Sequence, residues 1–307
     1  MEHITTTKIQ MNQDTAITLG NFDGLHMGHR RLISTMQQKA AEQGLLSVVF
    51  SFYPHPMFLF GNRDHQALIM SPEEKKRTIE QMGVDCYVEY PFTKDFAAMA
   101  PEDFAVQLIF QAMRCKVLVV GENYRFGKNH AGNVALLQQL GAQYGVEVIC
   151  IPAVMAQGER VSSTRVRKAL VEKDLDLVNA LLTEPYFIYG EVVQGKQLGR
   201  TIGFPTINVV ADPQKLFPPN GVYATKSLYD GQYYPGVTNV GIAPTVHGTR
   251  KIVETHLFDF HQVIYGKYIQ TQLYAFIRPE QKFDSVDALQ KRMTVDAALA
   301  REYFQKQ

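Results

Sequence analysis

Apolar positions in the first half of the chain switch between two periods. Residues 16–19, Ala-Ile-Thr-Leu, form a short run that predicts a strand ending at Gly20-Asn21-Phe22-Asp23-Gly24. Beyond it Leu32, Ile33, Met36 and Ala40 share one face at helical spacing, and Gly44 is the predicted stop. Residues 45–52, 117–120 and 146–149 are nearly continuous apolar runs with helix-like sequence between them. Strands lacking strict alternation are covered on both faces, so the pattern predicts an α/β layer around a parallel sheet. Ligands of such sheets bind beyond the carboxyl ends of the strands, where the loops gather.

A charged helical segment, residues 165–182, closes this half, and Thr183-Glu184-Pro185 marks the predicted boundary between a domain of residues 1–184 and one of residues 185–307. The character then changes. Residues 186–193, 221–228, 236–240, 251–258 and 268–277 are β-rich and separated by Gly, Pro, Asn and Asp, which predicts a mostly antiparallel sheet or barrel. Val286, Leu289, Met293, Ala297, Ala300 and Phe304 recur at helical spacing behind a Ser285 cap, so the chain ends in a helix.

A length of 307 residues agrees with about two domains. The formal net charge of +1 argues against bulk-charge nucleic-acid binding and against a polybasic membrane anchor, while leaving room for a local phosphate site. The cysteines, Cys86, Cys115 and Cys150, are far apart and form no C-x-x-C, so they predict buried reduced thiols rather than disulfides or a zinc site. The first residues lack the basic-then-apolar order of a signal peptide, and no apolar run reaches the ~18 residues of a membrane span. A cytoplasmic protein with neither nucleic-acid nor membrane partners is expected, and homo-oligomer formation is left open.

The most informative stretch is Gly20-Asn21-Phe22-Asp23-Gly24-Leu25-His26-Met27-Gly28-His29. Its glycines allow a tight strand-to-helix turn and close approach of a ligand. His26 and His29 stand near the predicted helix start, where free N–H groups and the dipole favour anions. Two imidazoles three residues apart, with no side chain at Gly28 to block access, can donate hydrogen bonds to a phosphate chain. No carboxylate or Cys partner sits at ligand spacing, which disfavours a metal here.

These residues resemble the H-x-G-H nucleotidyltransferase superfamily, and the resemblance implies a Rossmann-like fold. A second signature lies where that superfamily has one, in Val161-Ser162-Ser163-Thr164-Arg165-Val166-Arg167. The hydroxyls of Ser162, Ser163 and Thr164 can bind phosphate oxygens, and the guanidiniums of Arg165 and Arg167 offer planar forks for a pyrophosphate leaving group. Phe52-Tyr53-Pro54-His55-Pro56 and Gly121-Glu122-Asn123-Tyr124-Arg125-Phe126-Gly127 are similar to the flavin-adenylylating branch. By that resemblance Asn123, Phe126 and His55 line a flavin site, an aromatic face suiting a planar ring.

In the second half, the G-x-x-x-x-G-K-Q of residues 190–197 is one residue short of a P-loop, lacks the final hydroxyl for Mg²⁺ and reads partly as strand, so a Walker A assignment is rejected. The stronger signal runs from Gly195 through Gly199, Arg200, Gly203, Phe204, Pro205, Thr206 and Asn208. Glycines at four-residue spacing give a backbone able to wrap nucleotide phosphates. Thr206 and Asn208 offer two oxygens on one side of an extended segment, hard ligands that suit Mg²⁺. The stretch resembles riboflavin kinase, as do Gly221-Val222-Tyr223, Asn239-Val240-Gly241 and Val253-Glu254-Thr255-His256-Leu257-Phe258. That resemblance implies a six-stranded Greek-key barrel and makes Glu254 the general base toward the riboflavin 5′-hydroxyl. Gln194 stands where His is expected and Tyr124 where Phe is more usual.

Together the two resemblances cover nearly the whole chain, in the order of the prokaryotic FAD synthetase family. They imply phosphorylation of riboflavin to FMN by ATP and then adenylylation of FMN to FAD, with His26 and His29 catalytic in the second step. The rivals are another H-x-G-H transferase, against which the kinase-like half argues, and a nucleotide- or flavin-binding regulator without turnover.

Overall fold

In the computed structural model, which describes residues 1–60, 67–195, 198–245 and 248–306, the apolar runs of the first half become one parallel sheet. Its strands are β1 (Glu2–Ile4), β2 (Thr15–Leu19), β3 (Leu46–Tyr53), β4 (Cys86–Pro91), β5 (Cys115–Gly121) and β6 (Glu147–Ile151), in the order β1-β4-β3-β2-β5-β6. The chain moves one way from β2 to β4 and the other way from β5 to β6, so the order reverses between β2 and β5. That is the topological switch point at which such sheets bind ligands.

The two faces of this sheet differ. Ile17, Leu19, Val48, Phe50, Val88, Leu118 and Val120 join one apolar core with the segment Phe104–Ala112. The alternate positions carry buried polar groups, among them Thr18, Ser51 and Glu89. Helix α1 (Met27–Gln43) follows β2 and stops at Gly44, whose φ of 65° is left-handed and unstrained for glycine. Helix α2 (Pro72–Gln81) starts with a capping box between Ser71 and Glu74. Helix α3 (Val134–Tyr144) and a hairpin of β7 (Met155–Ala156) and β8 (Glu159–Arg160) complete this part.

By internal contacts the chain divides into two units, Met1–Ser162 and Ser163–Gln307. The second begins with α4 (Ser163–Val171) and α5 (Leu175–Leu182), where the apolar pattern predicts a single helix over residues 165–182. The break has a local cause. Lys173 takes a φ of 66°, and the Asp174 carboxylate accepts the Leu177 N–H at 3.0 Å, which starts a new helix.

The remaining strands are β9 (Phe187–Val193), β10 (Ile207–Ala211), β11 (Gly221–Tyr229), β12 (Gln232–Thr245), β13 (Gly248–Leu257) and β14 (Tyr268–Arg278). They close a barrel in the order β10-β13-β12-β11-β14-β9, with every pair antiparallel. Strand β12 is far longer than the predicted residues 236–240. Its added residues pair with β11 and β13, and sequence cannot display that pairing. Fully buried Thr225, Thr238 and Thr255 link hydroxyl to hydroxyl at 2.8 Å, so the barrel carries satisfied polar groups inside.

The terminal helix α6 (Val286–Gln305) is capped by Ser285, and Ala297 and Ala300 pack on Val222, Ala224 and Val237. Val286, expected on the apolar face, is half exposed. The helix is held nearer its middle, where buried Asp296 accepts a bidentate fork from Arg278 at 2.7–3.0 Å and a bond from Arg292 at 3.0 Å.

Candidate functional site

The carboxyl ends of β2 and β5 carry the loops that the motifs occupy. Gly20 and Asn21 after β2, and residues 123–130 after β5, line a cavity of ≈ 940 Å³ with Phe52, Phe92 and Phe96. Its volume is at the upper end for small-molecule sites, and its walls are mainly aromatic with a few polar groups. Asn123 and Phe126 lie in this wall, and Tyr124 stacks on Phe126 with centroids 5.7 Å apart. His55 does not line it. It accepts the Met57 N–H at 3.1 Å and faces a separate small cavity with Asn21, Asp23 and Lys75.

His26 caps α1, and its Nδ1 accepts the His29 N–H at 3.3 Å. The two rings stack with centroids 3.7 Å apart and planes 12° from parallel. A Cβ at position 28 would lie 3.2 Å from the His26 ring, so glycine there lets the imidazole sit tight on the turn. Burial pushes the His26 pKa down to about 4, and the Arg160 cation acts in the same direction. Burial, and after it His26 and Lys75, hold His29 well below the ordinary histidine range. Both rings are therefore neutral near pH 7. Because Nδ1 of His26 accepts, its proton resides on Nε2, a neutral donor for a phosphate oxygen. The Nδ1 atom of His29 is buried with no hydrogen-bond partner among the described residues.

Phe22 and Asp23 stand behind this loop. Phe22 is fully buried with its ring edge-on to His29 at 5.3 Å. Asp23 is buried and accepts the Met70 N–H at 3.2 Å. Gly24 takes a φ of 85°, with Ile69 against its α-carbon. Three further residues escape sequence reasoning. Asn21 sits inside the motif and borders both cavities. Arg160 on β8 brings its guanidinium against the Asn123 side-chain amide; adjacency to Val-Ser-Ser-Thr is the signal that could have found it. Lys75 is buried although it belongs to Glu-Glu-Lys-Lys-Arg, a run that reads as a solvated helix face.

The second signature straddles the division of the chain. Ser162 closes the first unit, while Ser163, Thr164, Arg165 and Arg167 form the opening turns of α4, where backbone N–H groups lack helical partners.

On the barrel, Glu254 of β13 is paired with Asn208 of β10 on one side and Asn239 of β12 on the other. Val253, Thr255 and Leu257 are buried, so by alternation Glu254 and His256 project to the opposite face. Thr206 immediately precedes β10. A Cβ at Gly195 would lie 2.2 Å from the Asn208 amide nitrogen, and one at Gly199 would lie 2.2 Å from the Phe204 carbonyl. Only glycine permits both approaches. His256 donates through Nδ1 to the Pro205 carbonyl at 2.9 Å and braces the loop before Thr206. Arg200, Pro205 and Thr206 border a small cavity with Phe260 and Tyr265. Gly203 takes a φ of 80°. Lys196 and Gln197 of the glycine-rich stretch lie outside the described residues.

Among the described residues no cluster of three or more His, Cys, Asp or Glu could hold a metal. A cation on the barrel would instead meet the neutral oxygens of Thr206 and Asn208, a donor set that fits Mg²⁺ sharing its shell with phosphates and water.

A family model for FAD synthetase matches residues 8–165, and one for riboflavin kinase matches residues 182–304. The bifunctional riboflavin kinase/FMN adenylyltransferase of Escherichia coli (strain K12) is 40% identical over 289 residues, which is 94% of this chain and 92% of that protein. The protein of the same name from Bacillus subtilis (strain 168) is 36% identical over 310 residues, 98% and 97% of the two chains. A crystal structure described as a macrolide-efflux protein from Streptococcus pneumoniae is similar throughout, with a TM-score of 0.87, 31% identity and coverage of 98% and 99%. Among the described residues no helix is long and apolar enough to cross a membrane. With a parallel-sheet unit and a closed barrel in one chain, and relatives matching over more than nine-tenths of its length, the chain belongs to the family of bifunctional riboflavin kinase/FMN adenylyltransferases.

Proposed function

We propose that this chain converts riboflavin and ATP to FMN and ADP on its barrel, and FMN and ATP to FAD and pyrophosphate at the loops of its parallel sheet. The observation that carries the reading is the pairing of Glu254 with Asn208 on the barrel, a carboxylate and a carboxamide at one register, in a chain that separately holds an imidazole pair on the loop whose Gly20 and Asn21 line an aromatic cavity. The functional division is taken at residues 184/185.

In the first step the Glu254 carboxylate accepts the 5′-hydroxyl proton of riboflavin as that oxygen bonds to the γ-phosphorus of ATP and ADP departs. Thr206 and Asn208 hold Mg²⁺, which when bound neutralises charge on the phosphates. Gly195, Gly199, Arg200, Gly203 and Pro205 shape and charge the loop around them.

The second step needs no base, because the FMN phosphate is already a nucleophile. An FMN oxygen attacks the α-phosphorus of ATP and pyrophosphate leaves. His26 and His29 act as neutral N–H donors to the phosphates, so their contribution lies in aim rather than charge. Ser162, Ser163, Thr164, Arg165 and Arg167 are assigned to ATP phosphates on their chemistry, and the two arginines supply the fixed positive charge that the imidazoles do not. Asn123 and Phe126 take the flavin. The free cysteines fit a reducing, cytoplasmic setting.

Incubation with riboflavin, Mg²⁺ and ATP, with flavins separated by chromatography, tests the reading. FMN should appear first and FAD after it. In His29→Ala, FMN should accumulate while FAD formation is lost. Absence of any flavin conversion by the unaltered chain overturns it.

A further inference from the structure

Beneath the loop that carries Asn21 lies a buried chain of polar groups to which neither step above gives a part. Glu89 on β4 is paired in register with Ser51 on β3, and both are buried. Lys75 of α2, only 8% exposed, lies across them, with Nζ 3.5 Å from Glu89 Oε1 and donating to Ser51 Oγ at 3.2 Å. The Ser51 hydroxyl donates onward to the Asn21 carbonyl at 3.1 Å. At the other end Tyr87 donates to Glu89 Oε1 at 2.9 Å, and His3 Nε2 lies 3.3 Å from Oε2.

An ammonium at a helix–sheet interface is costly to bury, and packed apolar residues often stabilise such a place as well as a buried ion pair does. Stability alone therefore gives little reason for Lys75 here. Its direction gives a better one, because the chain of bonds ends on Asn21, which with Phe52 borders both cavities. Asn21 lies between β2 and the His26–His29 pair, so a shift of its carbonyl moves the turn on which both imidazoles sit.

We propose that Lys75 is a positioning residue for adenylyl transfer: anchored on Glu89, its ammonium holds the Asn21 carbonyl through the Ser51 hydroxyl and fixes the loop that joins the imidazole pair to the aromatic cavity. This rests on the reading of the first unit as the FMN adenylyltransferase. The same positive charge is one of the causes, after burial and His26, that keep His29 unprotonated.

The decisive comparison is Ser51→Val against Ser51→Thr in the full chain, two side chains of one shape that differ in the hydroxyl. Ser51→Val and Lys75→Met should each lower kcat/KM for FAD formation from supplied FMN by about 10- to 100-fold, the scale of a small misplacement of reacting groups. Phosphorylation of riboflavin by the same preparations should be unchanged, and an unaltered resistance of residues 1–162 to limited proteolysis reports that the first unit is folded. Ser51→Thr should restore most of the loss, and the double variant Ser51→Val/Lys75→Met should be no worse than either single one, because both cut one chain of bonds. Should Lys75→Met fail to fold, the Ser51 pair alone decides. Equal activity of Ser51→Val and Ser51→Thr overturns the proposal, as does wild-type FAD formation by Lys75→Met. An unaltered chain that forms no FAD sinks the underlying reading instead.

Discussion

Asn208 and Glu254 face each other across the β10–β13 ladder, one residue directly opposite the other. Directly opposed residues of an antiparallel pair project from the same face, so the carboxylate and the carboxamide share one patch of the barrel. Asn239 flanks the same carboxylate from β12. Asn208 and Glu254, 46 positions apart in the chain, are brought together by strand register.

Glu254→Gln preserves shape and hydrogen bonding but cannot take a proton at neutral pH. FMN formation should fall roughly 10²–10⁴-fold, the range for a lost general base. Supplied FMN should still become FAD at the unaltered rate, since Glu254 has no part in that step. Flavin chromatography from the two starting substrates checks both halves of this expectation.

The contact between Gly195 and Asn208 offers an indirect test of the cation site. Gly195→Ala would drive a methyl into the Asn208 amide, which lies 2.2 Å from the ideal Cβ position. Asn208→Ala removes the oxygen ligand outright. Both variants should need more Mg²⁺ for half-maximal FMN formation, and Asn208→Ala should be the more severe. A Mg²⁺ titration that superimposes on the wild type for both would remove Asn208 from the site.

Acid should weaken the protein through His26. Its folded pKa of about 4 lies below the ordinary 6.5, so between those values the unfolded chain binds more protons than the native one. The corresponding stability is present above pH 6.5, is lost as pH falls toward 4, and amounts to about 3 kcal/mol at 1.36 kcal/mol per pH unit. His29 adds a loss of the same sign. Denaturant midpoints at pH 7 and pH 4.5 should converge in His26→Gln relative to the wild type.

Helices α4 and α5 should stabilise the barrel. Leu175, Val178, Leu181 and Leu182 are buried, and Asn179 of α5 donates to the Leu273 carbonyl at 3.1 Å and accepts the Tyr186 N–H at 2.8 Å. A fragment of residues 163–307 should therefore melt at least about 10 °C above one of residues 185–307, because the shorter one lacks the ~1.5–3 kcal/mol that burial of each of these side chains contributes. Both fragments should phosphorylate riboflavin, since Thr206, Asn208 and Glu254 lie in each. Equal melting temperatures would place the stability boundary at residue 185.

Sequence by itself determined the two architectures, their order in the chain and the position of the glycine-rich and histidine motifs. Those features are local: apolar periodicity declares a covered strand or a helix face, and Gly-x-His-x-Gly-His or Pro-Thr-Ile-Asn places its donors within one turn or one extended segment. Tertiary structure decided which of those residues border a cavity and which are buried. Phe22 belongs to the motif and is sealed beneath it; His55 belongs to another and turns toward Lys75 rather than the aromatic cavity. The break at Lys173, the length of β12 and the buried ammonium of Lys75 were equally beyond reach. Each depends on a partner distant in the chain or on a backbone turn that propensity does not encode. Burial, not residue type, sets whether an imidazole is charged or a lysine is solvated, and burial is a property of the fold.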